Sequence, residues 1–100
     1  MIYELVEAEV KPGSEEAFEA AYAQATALLL RAKGCRSVRM MRGVERPNVF
    51  RILVQWEALE NHTEGFRGSP AHQQLISLTR HHYAQPALVQ HYTIVSDSDA

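Results

Sequence analysis

Residues 49–56 read Val-Phe-Arg-Ile-Leu-Val-Gln-Trp, and this stretch decides the fold. Branched and aromatic side chains dominate it, and large apolar residues recur at every second position, which is typical of a β-strand. One face of the predicted strand carries Phe50, Ile52, Val54 and Trp56. The preceding Arg46-Pro47-Asn48 has the composition of a turn. The short connection predicts that residues 35–45, which carry four apolar positions, pair with 49–56 as an antiparallel hairpin.

The N-terminal part of the chain predicts a strand followed by a helix. Residues 2–10 alternate with a period of two, and one face of this strand carries Ile2, Val6, Ala8 and Val10. Ser14 is suited to cap a helix, and the two glutamates after it lie where the helix dipole favours acidic side chains. Apolar residues then follow helical spacing up to Gly34, so we expect a helix over 14–33.

The C-terminal part predicts a broken helical region and a last strand. Residues 58–67 and 70–84 have helical spacing, and Ser69-Pro70 combines a capping serine with a proline suited to the first helical turn. Residues 87–95 are expected to form the final strand. The order β-α-β-β-α-β predicts a ferredoxin-like α+β fold with a four-stranded antiparallel sheet. We expect a single domain over 1–96 and a loose C-terminal tail at 97–100.

The second face of the predicted sheet is also partly apolar. Two helical regions cover only one face, yet Leu5, Val49, Leu53 and the last strand place apolar groups on the other. An uncovered apolar sheet face is an association surface. We therefore expect a homodimer in which the two sheets pack face to face.

Composition excludes several classes of protein. The chain has 100 residues, of which 46% are apolar and 22% charged, so it is long enough for one modest core. A net charge of −2 argues against a general binder of nucleic acid or anionic membranes. The single cysteine, Cys35, cannot form an internal disulfide, and no apolar run is long enough to span a bilayer. Without a visible secretory signal, we expect a cytoplasmic protein.

Five histidines are the main candidates for chemistry, since none of the common catalytic motifs is present. Their spacing does not match that of a zinc site, so no metal is expected. His62 and His72 follow Trp56 in a short segment that also contains Phe66-Arg67 and Ser69-Pro70. This combination resembles the antibiotic biosynthesis monooxygenases, which are small dimeric α+β barrels with ferredoxin-like topology.

The resemblance implies three kinds of function. The family includes cofactor-independent oxygenases of phenols and quinols, haem-degrading enzymes and proteins without known activity. Trp56 matches an oxygenase site residue, whereas Ile52 and His62 stand where an Asn and a Tyr would be. The haem-degrading branch uses an Asn and a His where this chain has residues near Val6 and Ile76.

We therefore expect an oxygenase that deprotonates a small aromatic substrate in a dry pocket and needs no cofactor. His62 is the first candidate for the base and His72 the second, and the Trp56 indole is suited to donate to a substrate oxygen. The expected pocket lining is Phe18, Tyr22, Phe50, Ile52, Val54 and Phe66. A non-catalytic ligand-binding or stress-associated domain and a haem binder are the alternatives. Each candidate also has a purely structural alternative: Trp56 is then a core residue, and His62 bonds a backbone carbonyl.

Overall fold

The sheet in the computed structural model, which describes residues 1–100, has four antiparallel strands in the order β2-β3-β1-β4. The strands are β1 (Ile2–Glu9), β2 (Cys35–Arg42), β3 (Val49–Trp56) and β4 (Leu88–Tyr92). β1 pairs with β3 on one side and with β4 on the other, so it is a central strand. This arrangement confirms the ferredoxin-like α+β fold.

Three of the predicted strands are shorter than expected, and β1 differs least, since it ends at Glu9 rather than at residue 10. β2 ends at Arg42 rather than at residue 45, because a turn begins there: the Gly43 amide donates to Val49 O, and the Val49 amide donates to Arg46 O. β4 covers only Leu88–Tyr92 rather than 87–95. Its last pair is Tyr3 with Tyr92, next to the start of β1, so the residues beyond it have little strand left to pair with.

The helices lie on one face of the sheet. α1 covers Glu15–Leu30 and ends earlier than the predicted residue 33, because the chain turns back towards β2 through Gly34, whose φ is +84°. The predicted helix 58–67 is a π-helical segment over Asn61–Phe66. The predicted helix 70–84 is α2 (Pro70–Thr79) followed by a 3₁₀ turn over Arg80–His82. The break at residue 68 and the restart at Pro70 are as the sequence predicts.

The core lies between the sheet and α1. β1 and β3 direct their even-numbered side chains into it, as the period-two pattern requires. Phe18 from α1 packs against Phe50 with ring centroids 5.1 Å apart, and both side chains are fully enclosed. The buried apolar side chains are Val6, Ala8, Val10, Phe18, Tyr22, Ala25, Leu29, Phe50, Ile52, Val54, Trp56 and Phe66.

The opposite face of the sheet, here called the outer face, is not covered by any helix. A shallow depression on it is lined by Tyr3, Leu5, Leu53, Tyr92, Thr93 and Ile94. Ile94 is 51% exposed and Tyr92 47% exposed, which is high for apolar and aromatic side chains. The expected homodimer through this face stays a prediction. None of the helices has the length and apolar character needed to cross a membrane.

Candidate functional site

A buried carboxylate on β1 is the centre of the candidate site. Glu4 is only 6% exposed, since the period of the strand turns it towards the helices together with Val6 and Ala8. The sheet register places Glu4 beside Val54 on β3 and His91 on β4. A carboxylate in this environment is costly unless hydrogen-bond donors compensate for the lost water.

Two side chains from distant parts of the sequence contact Glu4. The Trp56 indole Nε1–H donates to Glu4 Oε1 over 2.9 Å. His62 Nε2 lies 3.4 Å from Glu4 Oε2. The rings of Trp56 and His62 are stacked with centroids 5.4 Å apart, which fixes the imidazole against the end of β3. Each carboxylate oxygen therefore has one nitrogen partner.

The second nitrogen of His62 contacts a further histidine. His62 Nδ1 and His91 Nε2 are 2.7 Å apart, so one of them donates and the other accepts. If Glu4 is ionised, a consistent arrangement has the His62 hydrogen on Nε2, the nitrogen that faces Glu4, and His91 Nε2–H donating to His62 Nδ1. The four residues Trp56, Glu4, His62 and His91 are called the Glu4 network below.

Burial shifts the protonation of the network away from ionised forms. It raises the pKa of Glu4, although the hydrogen bond from Trp56 and the charge of Arg67 act in the opposite direction. It lowers the pKa of His62 to about 4, with Arg67, His91 and His72 adding to the effect. The pKa of His91 is lowered for the same reasons of burial and proximity to Arg67. At neutral pH, His62 is therefore an uncharged imidazole.

A cavity of about 180 Å³ adjoins the network. Much of its wall is apolar, with Val6 and Val89 from the sheet and Leu29, Leu75 and Ile76 from the helices. Polar groups of Glu4, His62, Arg67, His72 and Thr79 also line it. His72 Nδ1 is buried and has no hydrogen-bond partner, which is unusual for a buried polar atom. The cavity thus combines an apolar wall with a few convergent polar groups, as small-ligand sites do.

The structure brings together some of the residues predicted from sequence. His62, His72, Tyr22 and Phe66 line the cavity. The other predicted residues do not line the cavity; they are Phe18, Phe50, Ile52, Val54 and Trp56. These five side chains are at most 1% exposed and fill the closed core instead. The Trp56 N–H, expected to donate to a substrate, donates to Glu4.

Glu4 and His91 belong to the candidate site, and the sequence prediction did not include them. A signal for Glu4 was present, because it is an acid on the same face of β1 as Ile2 and Val6. His91 shares the inner face of β4 with Val89, whereas Leu88 and Gln90 lie on the exposed face. Its contact with His62, however, depends on the sheet register.

No group of three or more His, Cys, Asp or Glu side chains is arranged to hold a metal ion.

Comparison with known proteins places this chain in a family. A sequence model described as "Antibiotic biosynthesis monooxygenase" matches residues 1–77. The chain belongs to the antibiotic biosynthesis monooxygenase family. It is 35% identical to the uncharacterized protein YczJ of Bacillus subtilis over 92 residues, which are 92% of this chain and 97% of that protein.

Solved structures of antibiotic biosynthesis monooxygenases have the same architecture. A putative antibiotic biosynthesis monooxygenase from Bordetella bronchiseptica is 38% identical, with a TM-score of 0.91 over 95% of this chain and 97% of that one. SnoaB, a cofactor-independent oxygenase from Streptomyces nogalater, has a TM-score of 0.84 over 96% of this chain and 94% of its own. Its identity is 14%, so the likeness to SnoaB is one of fold.

Proposed function

We propose that the protein is a cofactor-independent monooxygenase that oxidises a small phenol or quinol with dioxygen. The observation that carries the proposal is the cavity beside the Glu4 network, in which a buried carboxylate–imidazole pair and the unpartnered His72 Nδ1 meet an apolar wall. A phenol presents an apolar ring and one polar O–H, so it matches this distribution of groups. Membership of the monooxygenase family agrees with the same chemistry.

The proposed reaction balances without a cofactor. A phenol and one molecule of dioxygen give a quinone and one molecule of water. One oxygen atom enters the ring, the other leaves as water, and the substrate supplies the electrons. The protein has to remove the phenolic proton, because a phenolate gives an electron to dioxygen far more readily than a phenol does. A base in a water-excluding pocket performs that step.

Cavity size limits the substrate. A cavity of about 150 Å³ in another protein holds benzene, and drug-sized ligands need about 300 Å³ or more. At about 180 Å³, this cavity suits a single aromatic ring with small substituents. We therefore propose monocyclic phenols and quinols as the substrate class.

Each candidate residue has a place in this scheme. His62 and the Glu4 carboxylate that it contacts together form the proposed base. His72 Nδ1 is available to a substrate oxygen. Trp56 orients Glu4 rather than the substrate. Tyr22 and Phe66 line the cavity and are proposed to contact the ring.

Oxygen consumption tests the proposal. A panel of monocyclic phenols and quinols is incubated with the wild-type protein and with the His62→Ala and His81→Ala variants. We expect oxygen uptake in the wild type, its loss in His62→Ala, and its retention in His81→Ala, because His81 is an exposed histidine away from the cavity. If no phenol or quinol consumes oxygen, the oxygenase proposal is wrong.

The same samples distinguish the alternatives. A non-catalytic binding domain consumes no oxygen, but aromatic ligands raise its melting temperature. A haem binder shifts the Soret band of added haem. The ligand positions of the haem-degrading branch fall near Val6 and Ile76, two apolar side chains that line the cavity and supply no ligand for iron.

We further propose that a second copy of the chain covers the outer face. Leu5 and Leu53 are direct partners across β1 and β3, and Tyr3 pairs with Tyr92 across β1 and β4, which makes a continuous patch. Burying such a patch removes apolar surface from water and favours association at about 25 cal/mol per Å².

A further inference from the structure

We propose that Glu4 is the catalytic residue that accepts the phenolic proton, and that Trp56, His62 and His91 position it. This inference rests on the proposed function and assigns the proton-accepting atom within the same site. It moves the role of base from His62, the residue that sequence alone favours, to a carboxylate on β1.

Both ring nitrogens of His62 contact protein groups. Its Nε2 faces Glu4 Oε2 at 3.4 Å and its Nδ1 faces His91 Nε2 at 2.7 Å. Both ring nitrogens therefore point at protein groups, and neither is directed at the cavity as a free acceptor. Without a free lone pair, His62 is not placed to take a proton directly from a substrate.

Glu4 retains free acceptor capacity. A carboxylate has about four acceptor positions on its two oxygens. The indole of Trp56 uses one position on Oε1, and the imidazole of His62 lies beside Oε2. Glu4 is among the residues that line the cavity, and in the proposal a bound phenol takes one of the remaining positions.

The hydrogen-bond pattern of the network is compatible with an ionised Glu4. Trp56 Nε1 is a donor only, so its hydrogen must point at the carboxylate. When His91 Nε2–H donates to His62 Nδ1, the single hydrogen of neutral His62 is on Nε2, which lies 3.4 Å from Glu4 Oε2. The Trp56 hydrogen bond and the nearby His62 N–H dipole then favour the carboxylate, while burial makes it a stronger base than an exposed glutamate.

Other charged and titratable groups surround the carboxylate from every neighbouring element. Around the cavity these are Tyr22 of α1, His62 and Arg67 of the π-helical segment and its end, His72 of α2, and Arg80 and Tyr83 after it. His91 of β4 contacts His62. On β2, burial raises the pKa of Cys35, and the charge of Glu4 adds to that rise. Among the groups lining the cavity, Glu4 is the only carboxylate, and the Arg67 cation is placed to favour a phenolate.

The proton step is simple in this geometry. The O–H bond of the phenol breaks, and a new O–H bond forms on the Glu4 carboxylate. The electron pair stays on the phenolate oxygen, which then reacts with dioxygen. The total charge of the cavity does not change, because one anion replaces another, so the transfer avoids placing two negative charges in a dry space.

The pH dependence of binding measures this step without any oxidation. The probe is 4-nitrophenol under nitrogen, at about pH 8 and about pH 9, where free 4-nitrophenol is mostly ionised. If Glu4 is also ionised, the two anions repel each other, and binding has to take up one proton. The Kd of the wild type is then expected to rise about tenfold per pH unit.

Matched variants assign the proton to Glu4. In Glu4→Gln the repelling charge is gone, so the Kd is expected to be independent of pH between the two conditions. Glu7→Gln is the control: it makes the same change on the same strand, but its side chain pairs with Arg51 on the exposed side. Glu7→Gln is expected to keep the tenfold rise of the Kd per pH unit. Oxygen consumption should be lost in Glu4→Gln and partly restored in Glu4→Asp, which keeps the carboxylate.

The outcomes separate this inference from the proposed function. A wild type whose Kd does not change with pH, or a Glu4→Gln variant that keeps the tenfold dependence, overturns the role of Glu4. Oxygen consumption by Glu4→Gln at the wild-type rate overturns it as well. If the variants bind as expected but no phenol consumes oxygen, the oxygenase proposal fails and Glu4 stands as the proton acceptor. If the wild type binds no phenol, both proposals are wrong.

Discussion

Acidification should destabilise this protein through His62, and the structure gives the size of the effect. The side chain is 4% exposed, and burial holds its pKa at about 4 in the folded state, against 6.5 for the unperturbed group. Below pH 6.5 the unfolded chain therefore binds a proton that the folded protein excludes. Stability is complete above pH 6.5 and is lost as the pH falls towards about 4.

The loss can be estimated at one pH within this window. Each pH unit below 6.5 costs about 1.4 kcal/mol, so about 2 kcal/mol is lost at about pH 5. The lowered pKa values of His72 and His91 add in the same direction. Glu4 acts in the opposite direction, because a raised carboxyl pKa gives stability at low pH that disappears as the pH rises through it.

Urea denaturation at about pH 7.5 and about pH 5 measures the effect, and His62→Gln isolates it. With a slope of about 2 kcal/mol/M, the His62 share moves the wild-type midpoint by about 1 M between the two conditions. The midpoint of His62→Gln should move by about 1 M less, because glutamine does not titrate. His81→Gln, which changes an exposed histidine, should behave as the wild type. Equal midpoint shifts in the wild type and His62→Gln would refute the reasoning.

Two further predictions concern other contacts. Trp56→Phe removes the donor to Glu4 Oε1. It is expected to lower the free energy of unfolding, measured by urea denaturation at neutral pH, by about 1.5–3 kcal/mol. A loss below about 0.5 kcal/mol would contradict a stabilising hydrogen bond. Leu53→Arg places a charge on the outer face and is expected to convert dimers to monomers in sedimentation equilibrium, whereas Leu30→Arg, at an exposed position on α1, leaves the mass unchanged. A monomeric wild type would contradict the predicted interface.

The fold was predictable because its signals are local. Period-two patterns identify β1 and β3, Gly34 marks the end of the first helical region, and Ser69-Pro70 marks the restart at α2. Element ends were less accurate where pairing decides them. β4 is short because its ladder with β1 ends at Tyr92, and nothing within 87–95 itself encodes that limit.

The candidate site was predictable only in part. His62 and His72 stood out by type, and both line the cavity. Phe50, Ile52 and Val54 were expected there too, since alternation places them on the helix-facing side of β3. Alternation does not distinguish a side chain packed in the closed core from one that lines a cavity, because that depends on how the helices sit on the sheet.

The sequence by itself determined the order of elements, the faces of the strands and the types of residue available for chemistry, because these depend on side chains that are near each other along the chain. Only the tertiary structure decided that Glu4 belongs to the candidate site. Its partner Trp56 lies 52 positions away, and the histidines that contact each other, His62 and His91, are 29 positions apart. Strand register and the position of the π-helical segment bring these groups together, and sequence spacing carries no record of distances across a sheet.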